Sequence, residues 1–437
     1  MTDAQLQRCR QRLEQFLADL LEPVGRSERR HWGSVYVRGL LLNGERKSIE
    51  PLAARLPDGN VQAMQQLVGQ SPWVWKPIWE RLGKRMTAEL EPDSAWVVDD
   101  TGFPKQGNHS VGVARQYSGT LGKTANCQVA VSIHLVSENG NAPLGWRLYL
   151  PESWANDEQR RQEADIPAEI TFQTKWQLAL DIIDQIRSWG LPDRIVLADA
   201  GYGESTEFRE ALEQRQLRYG VGVGPQVGVW LKPPKLEKQE HGRKSKGRPP
   251  SVWHYGDQRP LAVKAVAQKA KGWKKIRWRE GSKGWLESRF WATRVQPSHG
   301  FHEGKPPHKQ VWLLVQWPES EQAPINYFFC DLPEHYSLRR LVRLAKSRWQ
   351  IEQGYQQLKE ELGLDHYEGR RWQGWHHHVT LVMMAYAFLT LETLRSKKTS
   401  GWTLPRTRRE LQYLLCTWTG VCCYCGQQAG KRSNRSP

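Results

Sequence analysis

The feature that most constrains this chain is a change of hydrophobic period near Ala95. Up to about residue 90, apolar residues recur every three or four positions, as in LQRCRQRLEQFLADLL and VQAMQQLVGQ, the spacing of one-sided helices. From Ala95 the pattern changes to short β-rich runs, AWVVDD, VGVARQYSG, CQVAVSIHLV and GWRLYLP, bounded by Gly, Asn and Pro. A helix, TKWQLALDIIDQIRSWG, then closes at a glycine. A buried strand, RIVLADAG, a helix from about 205 to 216 and a strand, RYGVGV, follow. Strands succeeded by this alternation predict an α/β layer with flanking helices. The alternation breaks at residue 225. A Pro- and Lys-rich stretch, LKPPKLEKQEHGRKSKGRPP, leads into Trp/Val strands that end with QVWLLVQW and INYFFCDL, so a mainly β insertion interrupts the layer. Helices resume with LRRLVRLAKSRWQIEQGYQQLKEELGL and HHHVTLVMMAYAFLTLETLR.

A chain of 437 residues exceeds what one compact core accommodates. Five segments are expected: a helical N-terminal domain (1–90), the first part of an α/β core (91–224), the basic, Trp-rich β insertion (225–335), the second part of the core (336–396) and a basic C-terminal region (397–437). Within the first, SIEPLAARLPDGNVQAMQQLV fits two short helices around a Pro-Asp-Gly turn. A DNA-binding helix-turn-helix has this outline, and so do many small packing domains. Beyond Ser396 the pattern is loose, and the tail GKRSNRSP is expected to be disordered. No apolar run reaches the ~18 residues of a membrane span, and the N-terminus has no secretion-type apolar region. A cytoplasmic, nucleoid-associated protein without membrane contact is expected. Seven cysteines, an odd number, fit reduced thiols. Cys422 and Cys425 form one C-x-x-C, with no second pair to complete a zinc set.

Charge points to a partner. The formal net charge is +17, and the chain has 22 tryptophans. Residues 232–294 hold 18 Lys/Arg against 5 Asp/Glu, so +13 lies in one stretch, together with Trp253, Trp273, Trp278, Trp285 and Trp291. Cations interleaved with aromatics suit phosphate contact and base stacking; the bland alternative is a Trp-rich strand core with a solvated basic face. Lys271, Lys274, Lys275 and Arg277 are the candidate DNA contacts in this stretch.

Three carboxylates stand out. Asp100 follows Trp96-Val97-Val98 and Asp199 follows Ile195-Val196-Leu197, so each leaves the end of a buried strand. Charge at such a place is costly unless it is paired or metal-bound; ordinary turn or N-cap aspartates are the alternative. In RWQIEQGYQQLK, rotation of ~100° per residue brings Arg348, Glu352 and Lys359 within about 40° of one another. Leu344, Ile351, Leu358 and Leu362 form an adjacent apolar stripe that would dock the helix. A carboxylate between two cations matches a metal ligand beside phosphate contacts, or a solvated stripe of i,i+4 pairs.

Taken together, these residues resemble the DDE transposases of bacterial insertion sequences. RWQIEQGYQQLKEELGLDHYEGR is similar to the R-x3-E-x6-K part of their YREK signature, LADAGYG to their second-Asp motif, and DDTGFPKQGNHSVGVARQYSG to the first-Asp region of one subgroup. The resemblance implies an RNase H-like mixed sheet with flanking helices. It implies Asp100, Asp199 and Glu352 as catalytic metal ligands, two Mg²⁺ ions for which Mn²⁺ can substitute, and Arg348 and Lys359 as DNA contacts. The substrates would be double-stranded transposon ends and target DNA, cut to free a 3′-OH and then joined, by a homodimer in the synaptic complex. The alternatives are a non-catalytic repressor or domesticated factor, and an RNase H-like nuclease or resolvase without strand transfer, which the large insertion disfavours. The separation of 153 positions from Asp199 to Glu352 leaves room for the β insertion that similar members carry. The signature Tyr is replaced by Ala345, so its DNA contact is either absent or supplied by another residue such as Tyr355 or Trp349. Asp99 competes with Asp100, and the resemblance favours the Asp that precedes Thr101. Lys105, Arg115 and Lys123 are further candidate phosphate contacts. Lys246-Gly247-Arg248-Pro249 resembles a minor-groove hook, and His376-His377-His378, at a helix start, is placed to touch phosphate.

Overall fold

The computed structural model describes residues 3–90, 93–119, 121–234, 237–238, 253–254, 259–281, 284–298, 308–397 and 401–419. The KGRP hook, the C-x-x-C and the C-terminal tail lie outside these residues. The chain forms two compact units, one of residues 1–94, 99–192 and 350–437, the other of residues 95–98 and 193–349. The fold is mixed α/β with an N-terminal helical region, the RNase H-like class read from the sequence.

The first unit opens with helices α1 (Asp3–Leu21), α2 (Ser27–Leu41), α3 (Ile49–Ala53), α4 (Val61–Gly69) and α5 (Lys76–Leu90). The Pro57-Asp58-Gly59 turn separates α3 from α4, and Asn60 caps α4 by accepting the Ala63 N–H at 3.0 Å. Strand β1 (Ala95–Pro104) contributes its residues from Asp99 onward to this unit. It neighbours β3 (Lys123–Ser137), whose first residues pair antiparallel with β2 (Ala114–Ser118) and whose later ones pair with β4 (Gly140–Leu148). Two short helices, α6 (Glu152–Ala155) and α7 (Glu158–Glu163), lead to α8 (Lys175–Ser188). A reciprocal capping box starts α8, in which the Thr174 N–H donates to Gln177 Oε1 at 2.8 Å. Its buried face, Leu178, Ile182, Ile183 and Ile186, has the three-to-four spacing of a one-sided helix.

The second unit holds the start of β1, which pairs parallel with β5 (Ile195–Ala198); β5 pairs parallel with β6 (Tyr219–Val223). Helices α9 (Ala200–Gly203) and α10 (Thr206–Gln214) connect those two strands. β7 (Gly228–Trp230), β8 (Glu237–Lys238), β9 (Trp253–His254), β10 (Leu261–Ala262) and a short helix α11 (Val263–Gln268) follow. β11 (Lys274–Gly281), β12 (Gly284–Pro297), β13 (Val311–Trp317) and β14 (Asn326–Cys330) then run antiparallel in order, and β14 pairs with β6. On one face Ile276, Phe290 and Leu314 pack against Leu341, Val342 and Ala345 of α12 (Leu338–Ser347). Ala345, where the signature has tyrosine, is thus a core residue.

The long helix read across residues 338–362 is two helices, α12 and α13 (Trp349–Glu360), with Arg348 between them in right-handed helical geometry. Helix α14 (Trp372–Lys397) starts before the His run and is buried along most of its length. By length and composition it could cross a membrane, contrary to the expectation that no stretch would; 83% of its apolar window is buried inside the protein, as in the core helix of a folded domain. The region beyond Ser396, read as loosely patterned, contains α15 (Leu404–Thr419).

Candidate active site and nucleic-acid face

Strand β1 is buried through Val98 and then half-exposed at Asp99 and Asp100. Asp99 Oδ1 accepts the N–H of Asp100 at 2.8 Å. Successive strand residues point to opposite faces, so the two carboxylates serve different surroundings. Both oxygens of Asp100 accept from Lys175 Nζ, at 3.0 and 3.1 Å. Lys175 is the first residue of α8, where the capping box holds its backbone. Sequence reasoning missed this lysine. The TKWQ motif announces a helix start, but nothing local signals a carboxylate 75 residues away.

Asp199 follows β5 with extended backbone, and its Oδ1 caps α9 by accepting the Tyr202 N–H at 3.3 Å. The turn role weighed against metal binding is therefore real, and it leaves Oδ2 beyond that bond. The glycines of LADAGYG have a packing reason: a Cβ on Gly203 would stand 2.0 Å from the Gly222 carbonyl, so only glycine lets α9 lie this close to β6.

Glu352 lies on α13 in the first unit and is exposed, whereas Ile351, Tyr355 and Leu358 of the same helix are buried. Of the expected docking stripe, Ile351, Leu358 and Leu362 are buried, whereas Leu344 belongs to α12 and is partly buried against the β11–β13 cluster. Gly354 brings the helix onto β4, since a Cβ there would meet Asn141 Oδ1 at 2.6 Å. Asn141 Nδ2 donates to the Gln350 carbonyl at 3.3 Å, and Tyr355 Oη and Ser132 Oγ are 2.7 Å apart. Tyr355 packs its ring against His134 and Trp146. It is a core residue, not a DNA-facing stand-in for the missing signature tyrosine. Trp349 is 37% exposed and carries the Arg279 guanidinium over its ring at 3.4 Å.

Two expected phosphate contacts are committed elsewhere. Lys359 Nζ donates to the Gly102 carbonyl of β1 at 2.8 Å and lies over the Phe103 ring; burial pulls its pKa from 10.5 down to about 8. Lys105 Nζ donates to the Tyr367 carbonyl, and burial likewise takes it down to about 8. Arg115 and Lys123 are exposed and Arg348 is half-buried. The three histidines are not at the surface. His376, His377 and His378 are 2%, 0% and 0% exposed, which rules out phosphate contact. His377 places its ring nitrogens 2.9 and 2.8 Å from the Val68 and Trp73 carbonyls and stacks on Trp73 at 3.6 Å.

Within the second unit, the face of the β11–β12–β13 sheet opposite the α12 core carries Lys275, Arg277, Arg289, Trp291 and Trp317, whereas Trp278 and Trp312 pack on the α12 side. The register aligns Lys275 with Arg289 and Trp317, and Arg277 with Glu287. Trp273 packs against Trp291 and Trp317, and Arg289 lies over Trp317 at 5.1 Å. Lys271 and Lys274 are exposed. Lys275 and Arg277 are not the unpaired cations that the charge count implied: both bind Glu287, at 2.6 and 2.8 Å. Hydrogen bonds from Lys275 and then Arg277 hold the Glu287 carboxyl below its usual range.

Among the described residues, no group of three or more His, Cys, Asp or Glu is arranged to hold a metal ion. The donor chemistry does suit one: carboxylate oxygens are hard ligands for a small divalent cation, and both oxygens of Asp100 already face a cation. A family model described as DDE superfamily endonuclease matches residues 19–285, more than half of the chain, including Asp100 and Asp199. The chain belongs to the DDE superfamily endonucleases. It is 30% identical over 187 residues to the probable transposase for insertion sequence element IS701 of Microchaete diplosiphon. That similarity covers 42% of this chain and 46% of the relative, so the chain spans about half the length of the curated relative it matches. Glu352 lies beyond the residues that this family matches, so the case for it as a site residue is the R-x3-E-x6-K likeness and its exposed place on α13.

Proposed function

We propose that this DDE-superfamily chain is a transposase that binds transposon-end DNA, cleaves it by metal-dependent hydrolysis and joins the 3′-OH ends to target DNA. The observation that carries the reading is that Asp100 and Asp199, each emerging from a buried strand, lie within the span matched by the endonuclease family. Asp100, Asp199 and Glu352 are the proposed ligands. Two Mg²⁺ ions bound there would supply an activated water and neutralise charge on the phosphoryl oxygens. The chain's own contribution is placement. The buried runs of β1 and β5 fix where the aspartates emerge, and Gly354, Tyr355 and Lys359 seat the helix that bears Glu352. The basic, Trp-bearing face of β11–β13, with Lys271 and Lys274 beside it, is the proposed duplex contact. Double-stranded inverted-repeat ends and target DNA are the proposed substrates, and a homodimer is the proposed synaptic unit.

Cleavage of DNA carrying the element's ends tests this. Asp100→Asn, Asp199→Asn and Glu352→Gln are each expected to slow Mg²⁺-dependent cleavage by at least ~10³-fold, the loss of several kcal/mol of charge stabilisation. End binding in a gel-shift assay should stay near wild type. Wild-type cleavage by any of the three variants would remove that residue from the ligand set, and by all three would sink the reading.

A further inference from the structure

The Lys175 ammonium sits almost equidistant from the two oxygens of Asp100, at 3.0 and 3.1 Å, the place a divalent cation would take on that carboxylate. We infer that Lys175 is a resident counter-ion of Asp100, which holds the carboxylate when no metal is bound and must give way when one arrives. The inference rests on Asp100 being a metal ligand.

Two observations support an exchangeable cation over a fixed structural ion pair. The pair is open to water, with side-chain exposures of 39% for Lys175 and 26% for Asp100, so the ammonium can leave without opening the core. The anchor of the arm is rigid, because Thr174 and Gln177 cap α8 reciprocally; only the four-carbon stem has to swing. An ammonium and a divalent ion cannot share one oxygen pair without strong mutual repulsion, so each lowers the affinity of the site for the other. Once displaced, the ammonium stands beside the metal, where a DNA phosphate would welcome it. Lys175 is thus a positioning residue that keeps the site weak for metal until DNA supplies negative charge.

The test is Mn²⁺ binding to the full chain without DNA, followed by the loss of the free-ion electron paramagnetic resonance signal. Lys175→Met removes the charge and keeps the length; Lys175→Arg keeps the charge. The methionine variant is expected to bind Mn²⁺ roughly tenfold more tightly than wild type, the effect of one nearby charge discounted for its exposure, and the arginine variant to bind as wild type does. With end DNA present, the advantage of the methionine variant should shrink or reverse. Unchanged or weaker Mn²⁺ binding by Lys175→Met, while Asp100→Asn loses binding, overturns the inference and leaves the ligand role of Asp100 standing. Wild-type Mn²⁺ binding by Asp100→Asn removes Asp100 as a ligand, and both fall. Lys175 lies on a half-exposed first turn, and matching circular dichroism of the variants shows that they fold alike.

Discussion

Lys359 distinguishes a phosphate-binding lysine from a buried strut, and replacing it with methionine separates the two by stability alone. In the folded chain its ammonium is bound to the Gly102 carbonyl and largely removed from water, which takes its pKa from 10.5 to about 8. A lysine whose folded pKa is lower than its unfolded one binds fewer protons when folded. Between pH 8 and 10.5 the unfolded chain therefore holds the extra proton, and stability rises with pH in that window. Below pH 8 the full cost of burying the charge is present; above 10.5 it is gone. A gap of about 2.5 pKa units at 1.36 kcal/mol per unit sets a ceiling of about 3 kcal/mol, and the partial solvent access of the side chain reduces this to about 1–2 kcal/mol. Urea unfolding followed by circular dichroism at pH 7.5, 9 and 10.5 measures it. The difference between wild type and Lys359→Met should move by that amount in favour of wild type as pH rises. Cys9 and Cys330, which burial pushes up to about 12, lower stability in alkali in both proteins and cancel from the difference, as does Lys105. Parallel curves would show a solvated ammonium, free to meet DNA as the motif implies, and would refute the strut.

Two further outcomes follow from the same side chains. Glu287→Gln releases Lys275 and Arg277, so it should tighten binding to end DNA and steepen its salt dependence by up to ~0.9 log unit for each additional phosphate neutralised, as read by fluorescence anisotropy across a salt series; an unchanged slope would mean that neither cation reaches phosphate. His377→Ala should lower stability by about 2–4 kcal/mol through lost packing on Trp73 and stranded Val68 and Trp73 carbonyls, with DNA affinity of the folded protein unaltered; weakened DNA binding at full folding would return the histidines to the interface.

Periodicity and spacing were enough for the elements that frame the site. The helix α8 that closes at a glycine, the buried strand before Asp199 and the stripe of Ile351, Leu358 and Leu362 all follow from local rules, because a helix or strand can bury only the face on which its apolar residues recur. The Ala95 change of period likewise located β1, and with it the point where Asp99 and Asp100 emerge. The same rules failed where the deciding partner is remote in sequence. A run of three histidines reads as polar and exposed until Trp73, Trp75 and the Val68 carbonyl close over it. Lys359 reads as a surface cation until β1 passes beneath it, and a charge count cannot see that strand register brings Glu287 opposite Arg277 and within reach of Lys275. Tyr355 reads as a free aromatic until Ser132 and Trp146 enclose it. Sequence alone determined which residues carry charge and which face of each element turns inward. Only the tertiary structure decided which charges are already neutralised: an ion pair or a buried ammonium depends on atoms within about 4 Å, and folding sets those distances between residues as far apart in the chain as Asp100 and Lys175.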